Sequence, residues 1–218
     1  ENMRESSDLR GEILWKELGL KTPLKEIDSK DKEIILNFLT AEKDYRKQQR
    51  IQKILRQSGI RQVKTLKQFD WLFNPKITRE EIMTFVNSPW IENAYNLVLI
   101  GDTGLGKSHI AKAICYEGVL QGHTTAFGSS CDLITKVIRH QNPAAKIDYY
   151  AKVRVLGIDE LGFIFHKKED TDILFQIISK RAENLPTLIT TNLSPKEWGT
   201  IFSGAAASAI LDRLSFNG

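Results

Sequence analysis

The spacing of apolar residues along the chain changes period several times, and each change marks a predicted element. Gly11-Glu-Ile-Leu-Trp-Lys-Glu-Leu-Gly19 makes an amphipathic turn or two before Pro23. Ser29-Lys-Asp-Lys-Glu33 then supplies a serine cap with acids in the first turn. Ile34, Ile35, Phe38, Leu39, Tyr45, Ile51, Ile54 and Leu55 follow at roughly helical spacing, and Gln57-Ser-Gly59 stops the helix. Between Leu66 and Pro75 the chain is aromatic-rich, and Thr78-Arg-Glu-Glu81 forms a capping box for a helix to about Val86.

From Asn96 the pattern alternates. Asn-Leu-Val-Leu-Ile100 predicts a strand, and a helix beginning near Lys107 ends at Gln121-Gly122. Thr124 to Ser129 predicts a second strand. Helices are expected over Cys131 to Arg139 and, after a break at Pro143, over Ala144 to Lys152. A buried strand spans Val153 to Glu160, a helix Thr171 to Ala182, a strand Pro186 to Asn192, and a last helix closes at Ile210-Leu-Asp-Arg-Leu214. Strands separated by helices predict an α/β fold with a parallel sheet. The expected division is a helical basic N-terminal domain at 1–60, an α/β domain at 96–218, and between them a connector at 61–95 that packs on the α/β domain.

The turn after the first strand, Gly101-Asp-Thr-Gly-Leu-Gly-Lys-Ser108, carries the chemistry. A triphosphate needs many converging N–H donors, and Gly101, Gly104 and Gly106 let the backbone curl without Cβ clashes. The helix start adds its positive dipole end, Lys107 reaches the β- and γ-phosphates, and the Ser108 hydroxyl suits the shell of a Mg²⁺ ion. ATP and Mg²⁺ are the expected cofactors. The expected cradle is Gly101, Asp102, Thr103, Gly104, Leu105, Gly106, Lys107, Ser108 and His109. A dinucleotide fingerprint would place glycine at 109, where His109 stands.

Ile158-Asp-Glu160 ends an apolar strand in two carboxylates, the pattern of an acid that orders Mg²⁺ through water, Asp159, beside one that polarises the attacking water, Glu160. Two adjacent carboxylates repel unless a cation lies between them and the substrate. Asn192 ends the last strand, where a parallel neighbour would present an amide to the lytic water or the γ-phosphate. Arg213 reads either as an arginine finger for a neighbouring subunit or as a surface arginine supported by Asp212. One of Phe69, Trp71 and Phe73 is a candidate to line the adenine pocket; otherwise all three are core.

Charge adds a second theme. The chain carries a net +4, yet nine Lys/Arg lie between Lys43 and Lys67 against one acid, Asp44. That segment holds +8, so everything else sums to −4. Arg46, Arg50, Lys53 and Arg56 fall three or four apart on one helix face, either a solvated face or the electrostatic footprint of a duplex-DNA contact. Lys136, Arg139, His140 and Lys146 are surface charge or a second nucleic-acid contact. With 41% apolar residues, no apolar run near membrane-span length and a polar start, a soluble cytoplasmic protein with no membrane partner is expected. Cys115 and Cys131 fit neither a disulfide framework nor zinc spacing, and both are expected to be buried.

Leu66-Lys-Gln-Phe-Asp-Trp71, the loop with His109-Ile-Ala111, Ile158-Asp-Glu-Leu-Gly162, Phe175-Gln-Ile-Ile-Ser-Lys-Arg181, Thr190-Thr-Asn192, Glu197-Trp-Gly199 and Ala209-Ile-Leu-Asp-Arg-Leu214 together resemble the AAA+ ATPases of the IstB/DnaC group. The Phe-Asp-Trp and Glu-Trp-Gly stretches resemble the IstB-type transposition helper more than the helicase loader DnaC. The resemblance implies a P-loop NTPase fold with a helical N-terminal domain, an ATP-dependent homo-oligomer on duplex DNA, and a partner transposase. It puts Lys107 and Ser108 at the Walker A position, Asp159 and Glu160 at Walker B, Asn192 at sensor 1 and Arg213 at the finger. The sequence departs from the family pattern at Asp102, where proline is usual. The family pattern also continues with a last strand and a sensor-2-like arginine, which are expected to be missing from a sequence that stops at Gly218.

A replicative helicase loader, whose N-terminal helices grip a helicase instead of DNA, is the alternative, and the basic 43–67 segment favours the DNA reading. A small-molecule kinase would need an arginine-bearing lid insertion that the sequence lacks.

Overall fold

Short apolar strands separated by helices have few ways to bury both faces, and a parallel sheet covered by helices is the economical one. The computed structural model has this architecture, and it describes residues 11–21, 27–72, 77–162, 168–200, 202 and 204–215. Phe73 lies outside them. Two compact units divide between Gln52 and Lys53.

In the first unit, helix α1 (11–17) precedes helix α2 (Ser29–Ser58), which continues into the second unit. Lys43 of α2 pairs with Glu17 of α1 at 2.5 Å, and Leu14 and Leu39 are buried. The apolar stripe expected along α2 is only partly covered: Ile34, Phe38 and Tyr45 remain exposed.

In the second unit, α2 ends at Ser58, whose hydroxyl donates to the Leu55 carbonyl and accepts from the Ile60 N–H. Gly59 then turns the chain with φ +84°, a conformation costly for a residue with a Cβ. A 3₁₀ turn at Leu66–Gln68 follows, then α3 (Arg79–Asn87) with the expected box at its start: Thr78 Oγ1 accepts from the Glu81 N–H while the Glu81 carboxylate accepts from the Thr78 N–H. The Thr78 N–H and the Thr78 hydroxyl both donate to the Glu81 carboxylate and hold it below the usual carboxylate range.

The sheet has strands β1 (Leu97–Ile100), β2 (Thr125–Ser129), β3 (Val155–Leu161) and β4 (Thr187–Thr191) in the order β1-β4-β3-β2, all parallel. Helix α4 (Lys107–Leu120) follows β1 and buries Ile110, Ala113, Ile114, Cys115 and Val119. Helices α5 (Ser130–Ile138) and α6 (Pro143–Lys152) lie between β2 and β3. Pro143, expected as a break, is the first residue of α6, where its missing N–H costs nothing. Helix α7 (Lys168–Arg181) joins β3 to β4, and α8 (Gly204–Ser215) closes the chain. One apolar core takes in Leu156, Ile158, Leu174, Ile177, Ile189, Trp198 and Ile210. Asn96, buried before β1, accepts from the Thr187 N–H and donates to the Leu214 carbonyl, tying α8 to the sheet. Of the two cysteines expected to be buried, Cys115 is and Cys131 is exposed, because it sits on the outward side of the first turn of α5.

Arg181 is the one charged side chain buried among the described residues. Nε donates to Thr187 Oγ1 at 3.0 Å, Nη1 to the carbonyls of Tyr150 at 2.8 Å and Val153 at 2.7 Å, and Nη2 to that of Pro186 at 2.6 Å. The guanidinium thus satisfies the carbonyls at the end of α6 and those on either side of the sheet entry. Burial pushes its pKa down to about 9, which leaves it charged at neutral pH. Arg181→Met should lower stability by about 3 kcal/mol, since it strands several buried carbonyls at once. Arg181→Lys should recover only part of that, because an ammonium cannot span the planar fork. Urea unfolding checks both, and a loss below about 1 kcal/mol for the Met variant would mean water replaces the contacts.

Candidate functional site

Because all four strands are parallel, their carboxyl ends share one edge, and the residues that leave β1, β3 and β4 meet there. They line a cavity of about 380 Å³.

The loop after β1 is shaped by two left-handed glycines, Gly104 at φ +87° and Gly106 at φ +85°. Gly106 caps α4, so the N–H groups of the helix start face the cavity. A Cβ on Gly106 would come within 2.5 Å of the Phe69 ring, so connector and loop are fitted to each other. Phe69 also meets His109 edge-on, with centroids 5.2 Å apart, and a His109 ring nitrogen lies 3.0 Å from the Thr65 carbonyl. The Lys107 ammonium donates to the Asp102 carbonyl at 2.7 Å. Asp102 itself is exposed and does not line the cavity.

Strand β3 carries the two acids through a bulge. Its register with β4 runs from Ile158 opposite Ile189 to Leu161 opposite Thr191, leaving Asp159 and Glu160 to share the place opposite Thr190. Glu160 takes φ +54°, an uncommon conformation for a residue with a side chain, and is exposed at the cavity. Thr190 holds this geometry: its hydroxyl accepts from the Glu160 N–H at 2.9 Å and donates to the Asp159 carboxylate at 2.5 Å. Ser130 Oγ donates to the Glu160 carbonyl at 3.0 Å. Thr191 Oγ1 donates to the Leu161 carbonyl at 2.7 Å, closing the bulge from beyond.

The cavity brings together Thr103 to His109, Glu160 and Asn192 of the predicted set. Asp159 stands one residue behind, turned to Thr190. Arg213 does not line it: Nη1 donates to Ser179 Oγ at 3.2 Å and the guanidinium lies 5.8 Å from the Phe175 ring centroid, both on α7, so its support is this helix instead of Asp212. Among the four basic residues of α2, Arg46 and Arg50 are exposed in the first unit, with Arg46 paired to Glu42 at 2.6 Å, and Lys53 and Arg56 are exposed in the second. Of the connector aromatics, Phe69 is buried against the loop and Trp71 packs edge-on against it with centroids 4.8 Å apart.

Sequence reasoning missed Lys64, which lines the cavity from the connector, and Thr190 and Thr191 as the fasteners of the bulge. A threonine pair just before the polar end of a buried strand was the available signal. Among the described residues no cluster of three His, Cys, Asp or Glu could hold a metal by itself, and no helix is long and apolar enough to cross a membrane.

The sequence matches the family described as IstB-like ATP binding protein over residues 15–218. Relatives named as ATP-binding proteins of insertion sequences include those of IS232 from Bacillus thuringiensis subsp. berliner, 30% identical over 84% of this chain and 74% of that one. That of IS5376 from Geobacillus stearothermophilus is 31% identical over the same shares. That of IS21 from Pseudomonas aeruginosa is 30% identical over 84% and 71%. Among solved structures, DnaI superposes with a TM-score of 0.57 at 24% identity, covering 76% of this chain and 89% of its own. AMPPCP-bound DnaA from Aquifex aeolicus gives 0.59 at 16% identity, covering 70% and 52%. These structural likenesses are of fold, the α/β AAA+ P-loop domain. With a family match running from residue 15 to residue 218, on top of a phosphate-loop cavity at the carboxyl edge of a parallel sheet, the chain belongs to the IstB-like ATP-binding proteins of insertion sequences.

Proposed function

We propose that this protein is an ATP-hydrolysing, DNA-binding helper of transposition that assembles as a homo-oligomer on duplex DNA and cooperates with a transposase. The observation that carries the catalytic part is the convergence of Lys107, Glu160 and Asn192 on one cavity, with the Glu160 carboxylate thrust forward by a bulge.

In this reading the N–H groups of the glycine loop and the start of α4 hold the β- and γ-phosphates, and Lys107 leaves the Asp102 carbonyl to neutralise them. The Ser108 hydroxyl and, through water, the Asp159 carboxylate would hold Mg²⁺, which neutralises phosphate charge when bound. Such hard oxygen donors suit that ion. Glu160 takes a proton from the attacking water and Asn192 orients that water or the γ-phosphate. Arg213 serves a neighbouring subunit as a finger, which suits its position outside its own chain's cavity. Arg46, Arg50, Lys53 and Arg56 neutralise DNA phosphates without reading sequence. The 1–60 region is the DNA-binding part, 61–95 the connector and 96–218 the ATPase.

Lys107→Ala should abolish nucleotide binding while the fold persists, and ATP affinity unchanged in a calorimetric titration would remove Lys107 from the site. Glu160→Gln should instead bind ATP and stall, because the amide cannot accept the proton; single-turnover hydrolysis equal to wild type would move the base elsewhere. For DNA, four phosphate contacts give a slope of log affinity against log salt of about 3.6. Reversing Arg50 and Arg56 to Glu should reduce that slope and weaken duplex binding across all sequences, with ATP affinity retained. If DNA affinity and slope stay unchanged while binding to a replicative helicase is lost, the helicase-loader reading replaces this one.

A further inference from the structure

A second, smaller cavity of about 180 Å³ lies within the second unit, between the end of α2, β2 and the helices α5 and α6. Gly59, in its lining, packs closely on β2: a Cβ there would run into the Phe127 carbonyl oxygen and stand 3.9 Å from the Lys136 ammonium. Lys136 enters from α5 and Lys146 from the first turn of α6. The Lys146 ammonium lies 4.2 Å from the ring centroid of Tyr149 and 4.9 Å from that of Tyr150, both of which line the same cavity.

The charge here is unbalanced. Both lysines line the one cavity, and burial, with the like charge of Lys136 adding to it, depresses the Lys146 pKa. Among the described residues neither is ion-paired to a carboxylate. Asp148 of α6 is held by Lys180 at 2.6 Å, and the charge of Asp132, a turn before Lys136 on α5, is felt at Tyr150. The tyrosine faces offset part of one ammonium's desolvation but supply no countercharge.

We infer that this cavity is a second phosphoryl-binding site, separate from the phosphate loop, in which Lys136 and Lys146 close on one phosphate group. A carboxylate would neutralise one lysine; a phosphate carries enough charge for both and presents oxygens to donors arriving from α5 and α6 at once. The cavity is too small for a nucleotide triphosphate and polar enough for a single phosphate beside aromatic rings. The phosphate comes either from a free phosphoryl compound or from the backbone of a single-stranded nucleic acid. The site does not depend on ATP binding or on the basic face of α2.

The test uses the full chain carrying Lys107→Ala, so that the phosphate loop does not compete. Its lysines are acetylated with a limiting reagent and read by mass spectrometry, with inorganic phosphate, with a single-stranded thymidine oligonucleotide, or with neither. Acetylation at Lys136 and Lys146 should slow relative to exposed Lys152. Slowing by inorganic phosphate alone assigns a free phosphoryl ligand, and slowing by the oligonucleotide assigns nucleic acid. No slowing by either overturns the site. Lys136→Gln with Lys146→Gln should leave ATP affinity unchanged in a chain with Lys107 intact, the check on folding, and in the Lys107→Ala chain should weaken binding of the protecting probe by about tenfold or more. Undiminished binding would equally overturn it.

Discussion

One hydroxyl group keeps the carboxyl edge of the sheet in order. Thr190 sits in the middle of the sheet, on β4, and reaches across to both residues of the β3 bulge, accepting from the Glu160 amide and donating to the Asp159 carboxylate. Without it the bulge would leave a ladder N–H unpaired beside a carboxylate, and a regular strand would turn the two acids to opposite faces. The left-handed backbone at Glu160 is costly on its own, on the order of 1 kcal/mol or more, and persists because Ser130 and Thr190 bond both of its peptide groups. The site therefore stands on β4 as much as on the strand that bears the acids.

The helices are held to that sheet by two kinds of attachment. Apolar packing does most of it, with one face of α4 buried and Trp198 fully buried in the core. Polar staples then fix the orientation: Asn96 binds α8 to the strand ends, and Arg181 gathers carbonyls from the end of α6 and the start of β4. A buried charge without a carboxylate partner is tolerable there because nearly every N–H of the fork finds an oxygen.

Much of this was legible in the sequence. Element types and the loop were written in local chemistry: the Gly-x4-Gly-Lys-Ser spacing, the Thr78–Glu81 box and the apolar strands ending in polar residues. The order β1-β4-β3 also puts Asn192 between loop and acids, as a parallel neighbour of both would be. What local pattern could not express depends on distant partners. Nothing about Glu160 as a residue type favours a left-handed backbone; Thr190, thirty positions on, permits it. Lys64 approaches the cavity only because the connector folds over the loop. The burial assigned to Cys131 failed because a helix start has an outward side that periodicity over one turn does not resolve.

The contact between Phe69 and Gly106 has a consequence for how such a chain can change over generations. Position 106 is pressed from two directions, by the left-handed turn that opens α4 and by an aromatic ring from the connector. Shrinking residue 69 would relieve only the second, so the glycine stays fixed while the connector drifts. The reverse does not hold: any residue at 69 must still fill the space that a missing side chain leaves, and covers His109 in doing so. Part of the spelling of the phosphate loop is thus imposed by a ring that never needs to touch a phosphate, and swapping connectors between relatives would have to carry that ring along with them.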